Sequence, residues 1–261
     1  MAELVQSHRV NRVAVVTLNV PERRNAISLE VREEAIRTLT SCIADRDCRA
    51  LVLTGAGGTF SSGTDVKSMT SATTGVDPMG SWVRLGRLHD LVRMIAAGPK
   101  PVVAAVEGHA YGAGMSLALA CDFVVAAADA KFCAAFGRLG IMPDAGLMWS
   151  LPQRVGLGRA KELMMTGRVI TGDEALSLGI VDEIEPPGGT LDAAIAQADR
   201  LAAAAPLATG TVKSLFARGP MSLDAVLEAE RNQQPMLILT EDHAEGRAAM
   251  AGKRPPVFQA K

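Results

Sequence analysis

The chain has 261 residues, enough to bury a substantial core in one large domain or in one domain with a helical appendage. Its 27 Lys and Arg residues nearly balance its 28 Asp and Glu residues, so the formal net charge is -1 and we expect no nucleic-acid partner. The apolar stretches are far shorter than the ~20 residues that span a bilayer, which predicts no membrane partner.

The four cysteines form no CxxC pair, which indicates free thiols in a reducing compartment rather than a disulfide framework. The first residues, MAELVQSHRVNRVAVV, run directly into a strand pattern, so we expect no signal or transit peptide. These features predict a cytoplasmic α/β protein.

Predicted strands and helices alternate through the first two-thirds of the chain. Short runs of branched or wholly apolar residues predict strands at Val13–Leu18, Arg49–Leu53, Pro101–Val106, Phe123–Ala126 and Ile180–Ile184. Apolar residues at helical spacing predict a helix capped by Ser28 and further helices over Asp77–Ala97 and Gly112–Ala120. This alternation is typical of an α/β core.

The chain is interrupted by the sequence PPGG at residues 186–189, beyond which every segment has helical spacing. The predicted helices there are Leu191–Ala205, Leu207–Phe216, Leu223–Leu239 and Glu241–Met250. Pro235 lies inside the third of them, where we expect a kink or a break. We therefore divide the chain into a core of residues 1–188 and a helical C-terminal region of residues 189–261.

Three segments combine a predicted strand end, glycines and a polar group. They are FSSGTDVK at residues 60–67, EGHAYGAG at residues 107–114 and LGIMPDAG at residues 139–146. Glycines after a strand let backbone N–H groups face outward, and two such groups converging on one oxygen form an oxyanion hole. The alternative is that the glycines only permit tight turns and close packing.

Residues 60–67 resemble the first oxyanion loop of the enoyl-CoA hydratase/isomerase (crotonase) superfamily, and residues 107–122 resemble the second. The tripeptide Arg24-Asn25-Ala26 and the segment KRPPVF at residues 253–258 also match the pattern of this superfamily. The resemblance therefore covers nearly the whole chain in the right order. It implies a crotonase-like spiral of ββα units whose C-terminal helices build a homotrimer or a dimer of trimers. It also implies an acyl-CoA substrate and no cofactor, since coenzyme A enters as part of the thioester.

The same resemblance assigns roles to particular residues. The thioester oxygen would sit between the backbone N–H groups of Thr64 and Ala113, whose side chains matter little because the donors are main-chain. The substrate-binding residues, some of them around the adenine and phosphates of CoA, would be Arg24, Ala26, Ser62, Asp65, Val66, Lys67, Gly112 and Phe136. Among these, Lys67 could equally be a solvated surface lysine and Asp65 a helix cap.

The sequence departs from the hydratase pattern at the two positions that decide the reaction. Hydratases of this family use two glutamates to hold and activate one water. Ser116 stands at the position of the first glutamate and Phe136 at that of the second. A hydroxyl and a phenyl ring cannot supply the two carboxylates, so efficient hydration by that mechanism is not expected.

One carboxylate remains in the right region, since Asp144 resembles the acidic base of the family's enoyl-CoA isomerases. A single base can remove a proton from C2 of a 3-enoyl-CoA and return it to C4, while Thr64 and Ala113 hold the dienolate. We expect apolar neighbours to exclude water and to raise the pKa of Asp144, namely Phe136, Met142, Leu147 and Met148. The alternative is that Asp144 caps a helix starting at Ala145.

Four further interpretations stay open. The chain could be a hydratase that acts without the usual glutamate pair, or a catalytically silent acyl-CoA-binding protein. It could be a serine hydrolase with Ser116 as nucleophile and His243 as a distant base. A nucleophilic Asp144 would suit dehalogenation of aryl-CoA substrates, which needs a tryptophan donor where this chain has Phe136.

The four histidines are dispersed without metal-ligand spacing, so no metal is expected.

Overall fold

The computed structural model describes residues 3–65 and 78–261. Its strands are β1 Val5–Val10, β2 Val13–Leu18, β3 Ala50–Gly55, β4 Val102–Val106, β5 His109–Tyr111, β6 Phe123–Ala127, β7 Lys131–Cys133, β8 Val169–Thr171 and β9 Glu183–Glu185. Its helices are α1 Leu29–Ala44, α2 Pro78–Ala97, α3 Ala113–Ala120, α4 Leu147–Thr166, α5 Gly172–Ser177, α6 Thr190–Ala202, α7 Pro206–Phe216, α8 Leu223–Ile238 and α9 Glu241–Ala251. Short 3-10 turns lie at Pro21–Arg23 and Ala135–Leu139.

Six strands form the larger sheet in the order β1-β2-β3-β4-β6-β9. The β1–β2 pair is antiparallel and every following pair is parallel. Strand β4 is wholly apolar and buried along its whole length, because hydrophobic clusters lie on both faces of the sheet. The mixed architecture confirms the predicted α/β core.

A smaller sheet of three strands follows in the order β5-β7-β8. Strand β5 pairs parallel with β7, which pairs antiparallel with β8. Single bridges join Ser61 to Ala110 of β5 and Ile27 to Thr64. The first glycine loop therefore runs alongside the small sheet and reaches the second glycine loop.

The fifth predicted strand, Ile180–Ile184, is misplaced. The strand observed is β9, Glu183–Glu185, which pairs with β6. Ile180 and Val181 are buried, but their N–H groups donate to Ala175 O at 2.8 and 3.3 Å. These two apolar residues therefore close the end of α5, and the chain joins the sheet only after them.

Strand β1 was not predicted, because its sequence, VQSHRV, lacks an apolar pattern. It is the edge strand of the larger sheet and pairs over its whole length with β2, while four of its six residues are exposed. An edge strand needs only one hydrogen-bonded neighbour, so polar residues are compatible with it.

The break expected at Pro235 does not occur, and α8 runs continuously from Leu223 to Ile238. A proline inside a helix leaves the carbonyl four residues earlier without its intrahelical partner. Helix α8 contains no buried residue, so water can bond to that carbonyl. In the single chain, exposure to solvent thus makes the proline tolerable in this helix.

The first C-terminal helix, α6, covers one face of the larger sheet. Its residues Ala194, Ala198 and Ala202 repeat every four positions and pack against buried valines such as Val13 and Val15. Small side chains at this spacing let the helix approach the sheet closely. Helices α7 to α9 follow α6 in the chain. The expected division of the chain at residue 188 remains a proposal.

Helix α7 is joined to the core by a buried lysine. The Lys213 side chain is only 5% exposed, and its ammonium donates to Asp122 Oδ2 at 2.6 Å and to Lys100 O at 2.8 Å. Asp122 Oδ2 also accepts from Val102 N at the start of β4. This network fixes α7 against the start of β4.

We expect Lys213→Met to lower the free energy of unfolding by about 3 kcal/mol, because the half-buried Asp122 carboxylate loses its counter-charge. Denaturant unfolding would measure the loss. Lys161→Met, at an exposed position of α4, is the matched control and should change stability by less than about 0.5 kcal/mol. Equal effects of the two variants would contradict this role of Lys213.

Candidate active site

A buried asparagine holds the first glycine loop. The Asn25 side chain is fully buried; its Oδ1 accepts from Val20 N at 2.9 Å, and its Nδ2 donates to Ala56 O at 2.9 Å and Thr59 O at 2.6 Å. The Asn25 carbonyl accepts from the Ser61 hydroxyl at 2.8 Å. Asn25 therefore fixes both ends of the turn that precedes the loop. In the sequence, only the position of Asn25 between Arg24 and Ala26 indicates a role, and from the sequence these three residues are interpreted as a substrate contact.

The residues beside Asn25 have mixed environments. Arg24 adopts a left-handed backbone conformation with φ 50°, and its carbonyl accepts from Ser62 N at 2.9 Å. Ala26 is buried, and the Ser62 hydroxyl donates to Arg23 O at 3.4 Å. These contacts attach the loop's main chain to residues 23–26. Any contact of Arg24, Ala26 or Ser62 with substrate stays a prediction.

The two glycine loops meet through their main chains at Gly63. A Cβ at Gly63 would lie 2.5 Å from Tyr111 O and 3.2 Å from Ala113 N, and the residue has φ +89°. Ser61 strengthens the junction, because its N donates to His109 O and its O accepts from Tyr111 N. A glycine at position 63 is therefore required by close approach as well as by backbone conformation.

The second loop ends where α3 begins. Gly112 precedes the helix with φ 50° and ψ -123°, and its N donates to Cys133 O at 2.9 Å. Ala113 is the first residue of α3, whose residues are all buried. Within residues 3–65 and 78–261, no hydrogen-bond acceptor is found for the backbone N–H of Thr64 or of Ala113. These two donors are available for a ligand oxygen, and the one on Ala113 is at the positive end of the helix dipole.

Asp144 lies in the loop between the second 3-10 turn and α4. Its Oδ1 is buried and has no hydrogen-bond partner among the residues that the structure describes. Burial raises the pKa of this carboxyl, and the charges of Arg32 and then His89 oppose that shift. The adjacent Ala145 is fully buried with φ 50°, a conformation that costs alanine of order 1 kcal/mol.

The alternative interpretation, in which the Asp144 side chain caps a helix, is not supported. Helix α4 begins at Leu147, its N-cap is Gly146, and no side chain accepts a hydrogen bond there. Only the main-chain carbonyl of Asp144 takes part, since it accepts from Leu147 N at 3.1 Å. The carboxylate is consequently not used by the helix start.

Ser116 connects α3 to the loop that carries Asp144. Its hydroxyl is within 3.0 Å of Asp144 O and 3.2 Å of Gly112 O, and the residue is fully buried. A hydroxyl has one proton, so it donates to one of these carbonyls at a time. No hydrogen bond to His243 is found in the described part of the chain, which argues against the serine hydrolase interpretation.

The apolar neighbours expected around Asp144 divide into two kinds. Phe136 and Leu147 are buried, and the Phe136 ring lies 4.0 Å from where a Cβ of Gly112 would be. Met142 and Met148 are 69% and 55% exposed in the single chain. Phe136 therefore closes the site next to the second loop, whereas the two methionines do not cover Asp144 in this chain alone.

Two expected substrate-binding residues, Val66 and Lys67, lie outside the described residues. Asp65, their neighbour, pairs with Arg23 at 3.6 Å. Arg32, which sequence analysis missed, is only 5% exposed. The signal was present in α1, where Arg32 stands three residues before Ala35 and seven before Leu39, on the face that the helix buries.

Other sites find no support in the described ranges. No group of three or more His, Cys, Asp or Glu side chains there could hold a metal ion. No helix there combines the length and the apolarity that crossing a bilayer requires. The four cysteines are free, and Cys48, Cys121 and Cys133 are buried.

Among the described residues, Thr64 N–H and Ala113 N–H are unused backbone donors, and the buried Asp144 Oδ1 is an unused acceptor. The sequence matches the enoyl-CoA hydratase/isomerase family over residues 8–261. The chain belongs to this family, whose enzymes act on CoA thioesters.

Individual relatives carry both kinds of name. The chain is 36% identical to 1,2-epoxyphenylacetyl-CoA isomerase and 34% identical to 2,3-dehydroadipyl-CoA hydratase, both of Escherichia coli K12, with each comparison covering 100% of both chains. The crystal structure of a putative enoyl-CoA hydratase from Streptomyces coelicolor superimposes with a TM-score of 0.92 at 36% identity, covering 99% of this chain and 94% of that one. The structural match confirms the crotonase-like fold class.

The junction at Gly63 can be tested against a glycine with a similar backbone conformation. Gly63→Ala should destabilise the protein and reduce turnover, because its Cβ would displace Tyr111 O and the start of α3. Gly58 has φ +68°, but no atom lies within 4 Å of where its Cβ would be. Gly58→Ala should therefore lower stability only by the backbone strain, roughly 1 kcal/mol. Thermal unfolding and turnover of both variants would be compared, and equal losses would show that strain alone explains Gly63.

Proposed function

We propose that the protein isomerises 3-enoyl-CoA thioesters to 2-enoyl-CoA thioesters, with Asp144 as the single base. The observation that carries this proposal is the buried Asp144 Oδ1, which has no partner among the described residues. Ser116 joins the loop of this carboxylate to α3, which begins with the unused N–H of Ala113. A buried carboxylate without a partner is suited to moving a proton on an acyl group.

The chemistry follows from where charge develops. When the thioester oxygen accepts hydrogen bonds from Thr64 N and Ala113 N, the C2–H bond becomes more acidic. Asp144 removes the C2 proton, and the electron pair spreads over the dienolate from the thioester oxygen to C4. The protonated carboxyl then returns the same proton to C4. One donor of this kind contributes about 2.7–4 kcal/mol of transition-state stabilisation in enzymes with oxyanion holes.

Hydration is the second candidate, since one E. coli relative bears the name of a hydratase. Water addition in this family relies on two carboxylates that orient one water. At those positions Ser116 donates to main-chain carbonyls, and Phe136 is a buried apolar ring. Both features favour isomerisation, and the relative named as an isomerase agrees with that choice.

We also propose that α7 to α9 build a homotrimer, with a dimer of trimers as the larger assembly. These helices expose Val212, Phe216, Leu223, Met236, Leu239 and Met250 in the single chain. Large apolar side chains exposed along helices that contact one another favour a protein–protein interface there. The C-terminal region would then serve oligomerisation, and residues 1–188 would carry the site.

Parallel turnover of a 3-enoyl-CoA and a 2-trans-enoyl-CoA tests the reaction. The wild type should isomerise the first much faster than it hydrates the second, and Asp144→Asn should lower isomerisation at least 100-fold, in line with the loss of a general base. Asp192→Asn, at an exposed position in the first turn of α6, is the matched control and should keep full activity.

Brisk hydration of the 2-trans-enoyl-CoA by both the wild type and Asp144→Asn would overturn the proposal. Binding of both thioesters without turnover of either would instead support the interpretation as a silent acyl-CoA-binding protein. The two contrary outcomes are therefore separable in one experiment.

The pH dependence of isomerisation provides an independent test. The base acts only when ionised, so kcat/KM should fall as the pH falls through the pKa of Asp144. Because burial raises that pKa, the midpoint of the acid limb should lie above the value of about 4 that is usual for aspartate. Steady-state rates over a pH series would locate the limb. A kcat/KM that stays constant down to pH of about 4 would contradict Asp144 as the base.

A further inference from the structure

Helix α1 carries a buried arginine with an incomplete set of partners. Arg32 is 5% exposed, and its Nη1 donates to Arg84 O in α2 at 2.6 Å. Its Nε is buried without a hydrogen-bond partner, and no carboxylate of the described residues lies within ion-pair distance of the guanidinium. Arginine is almost never fully buried unless it is paired, so this position needs an explanation.

The packing of α2 connects Arg32 to the loop of Asp144. Helix α1 lies against α2, where Arg84 receives the Arg32 hydrogen bond. Two turns further along α2, the Val92 side chain lies 3.3 Å from where a Cβ of Gly146 would be. His89 stands between these two contacts, and the charges of both Arg32 and His89 act on Asp144. Helix α2 thus brings α1 and residues 144–146 to one side of the site.

The unpartnered atoms of Arg32 and Asp144 have complementary charge and hydrogen-bonding character. Arg32 Nε is a buried donor of positive charge and Asp144 Oδ1 is a buried acceptor of negative charge, and neither has a partner among the described residues. Within the low dielectric of a protein interior, such charges interact over several ångströms. Direct pairing would occupy the carboxylate, whereas separation keeps its oxygen available for a proton.

We propose that Arg32 is a positioning residue for the base: its buried positive charge holds the Asp144 carboxylate ionised without bonding to the oxygen that takes the proton. This inference rests on the proposed role of Asp144 in isomerisation. Burial alone would favour the neutral acid, which cannot remove a proton. The permanent charge on Arg32 opposes that tendency at every working pH.

Among the described residues, few other charged groups act on the pair. Asp144 is influenced by Arg32 and His89, while Arg32 is influenced by Asp144, Glu33 and Arg84. The guanidinium of an arginine stays protonated over the whole working pH range of a protein. Arg32 therefore provides the lasting positive charge next to the base.

Direct titration of the Asp144 carboxyl in the full-length protein tests this inference without requiring turnover. Infrared or carbon-13 NMR difference spectra against Asp144→Asn would follow the carboxyl in the wild type, Arg32→Gln, Arg32→Met and Arg32→Lys. The two neutral variants should raise the pKa of Asp144 by about one unit, a tenfold change in its ionisation constant. Arg32→Lys should retain most of the wild-type value, and the acid limb of kcat/KM should move in the same direction as the titration.

Arg37→Met is the matched control, because Arg37 is an exposed arginine on the same helix and pairs with Glu34. It should leave the Asp144 titration unchanged. Arg32→Met fills similar volume without a polar group, so it serves if Arg32→Gln does not fold. An unchanged titration in a folded neutral variant would overturn the inference. Inactivity of the wild type towards 3-enoyl-CoA would instead overturn the proposed function, and the titration would still report on Arg32.

Discussion

The close approach of two main chains at Gly63 determines how the rest of the site is arranged. The backbone there passes so near to Tyr111 O and Ala113 N that no side chain fits between them. Thr64 follows immediately, so its N–H is held at a fixed offset from the start of α3. Preorganised donors act on a developing oxyanion without having to rearrange. The Asn25 side chain stabilises the turn before Gly63 through three hydrogen bonds with main-chain groups.

Ser116 links the second glycine loop to the loop that carries Asp144. The Ser116 hydroxyl is short enough to bond to a main-chain carbonyl. Through Asp144 O it connects the helix that begins at Ala113 to the loop that holds the base. Two residues with separate proposed roles, the oxyanion donor and the base, are thereby fixed to each other.

Much of this arrangement could be predicted from local patterns. The apolar run of β4, the cap at Ser28 and the glycines near Thr64 and Ala113 each depend on neighbouring residues, and the structure has them close to the expected positions. The environment of Arg32 depends instead on which face of α1 packs against α2, and burial of a charge contradicts the usual preference. Strand β1 and the start of β9 likewise depend on pairing and on packing after α5, which spacing along the chain does not encode.

Asp144, the proposed base, carries a cost to stability. Burial raises the pKa of Asp144 above its value in the unfolded chain, so the folded state binds this proton more tightly. The stabilising contribution of the neutral acid is present below the unfolded pKa and is lost as the pH rises through the folded pKa. At the pH where the base is ionised and active, the fold therefore tolerates a buried negative charge and the strained backbone of Ala145. A positive charge held nearby but unbonded, such as that of Arg32, lowers this cost while leaving Oδ1 free to react. A direct ion pair would lower the cost further, but it would occupy the atom that the reaction needs.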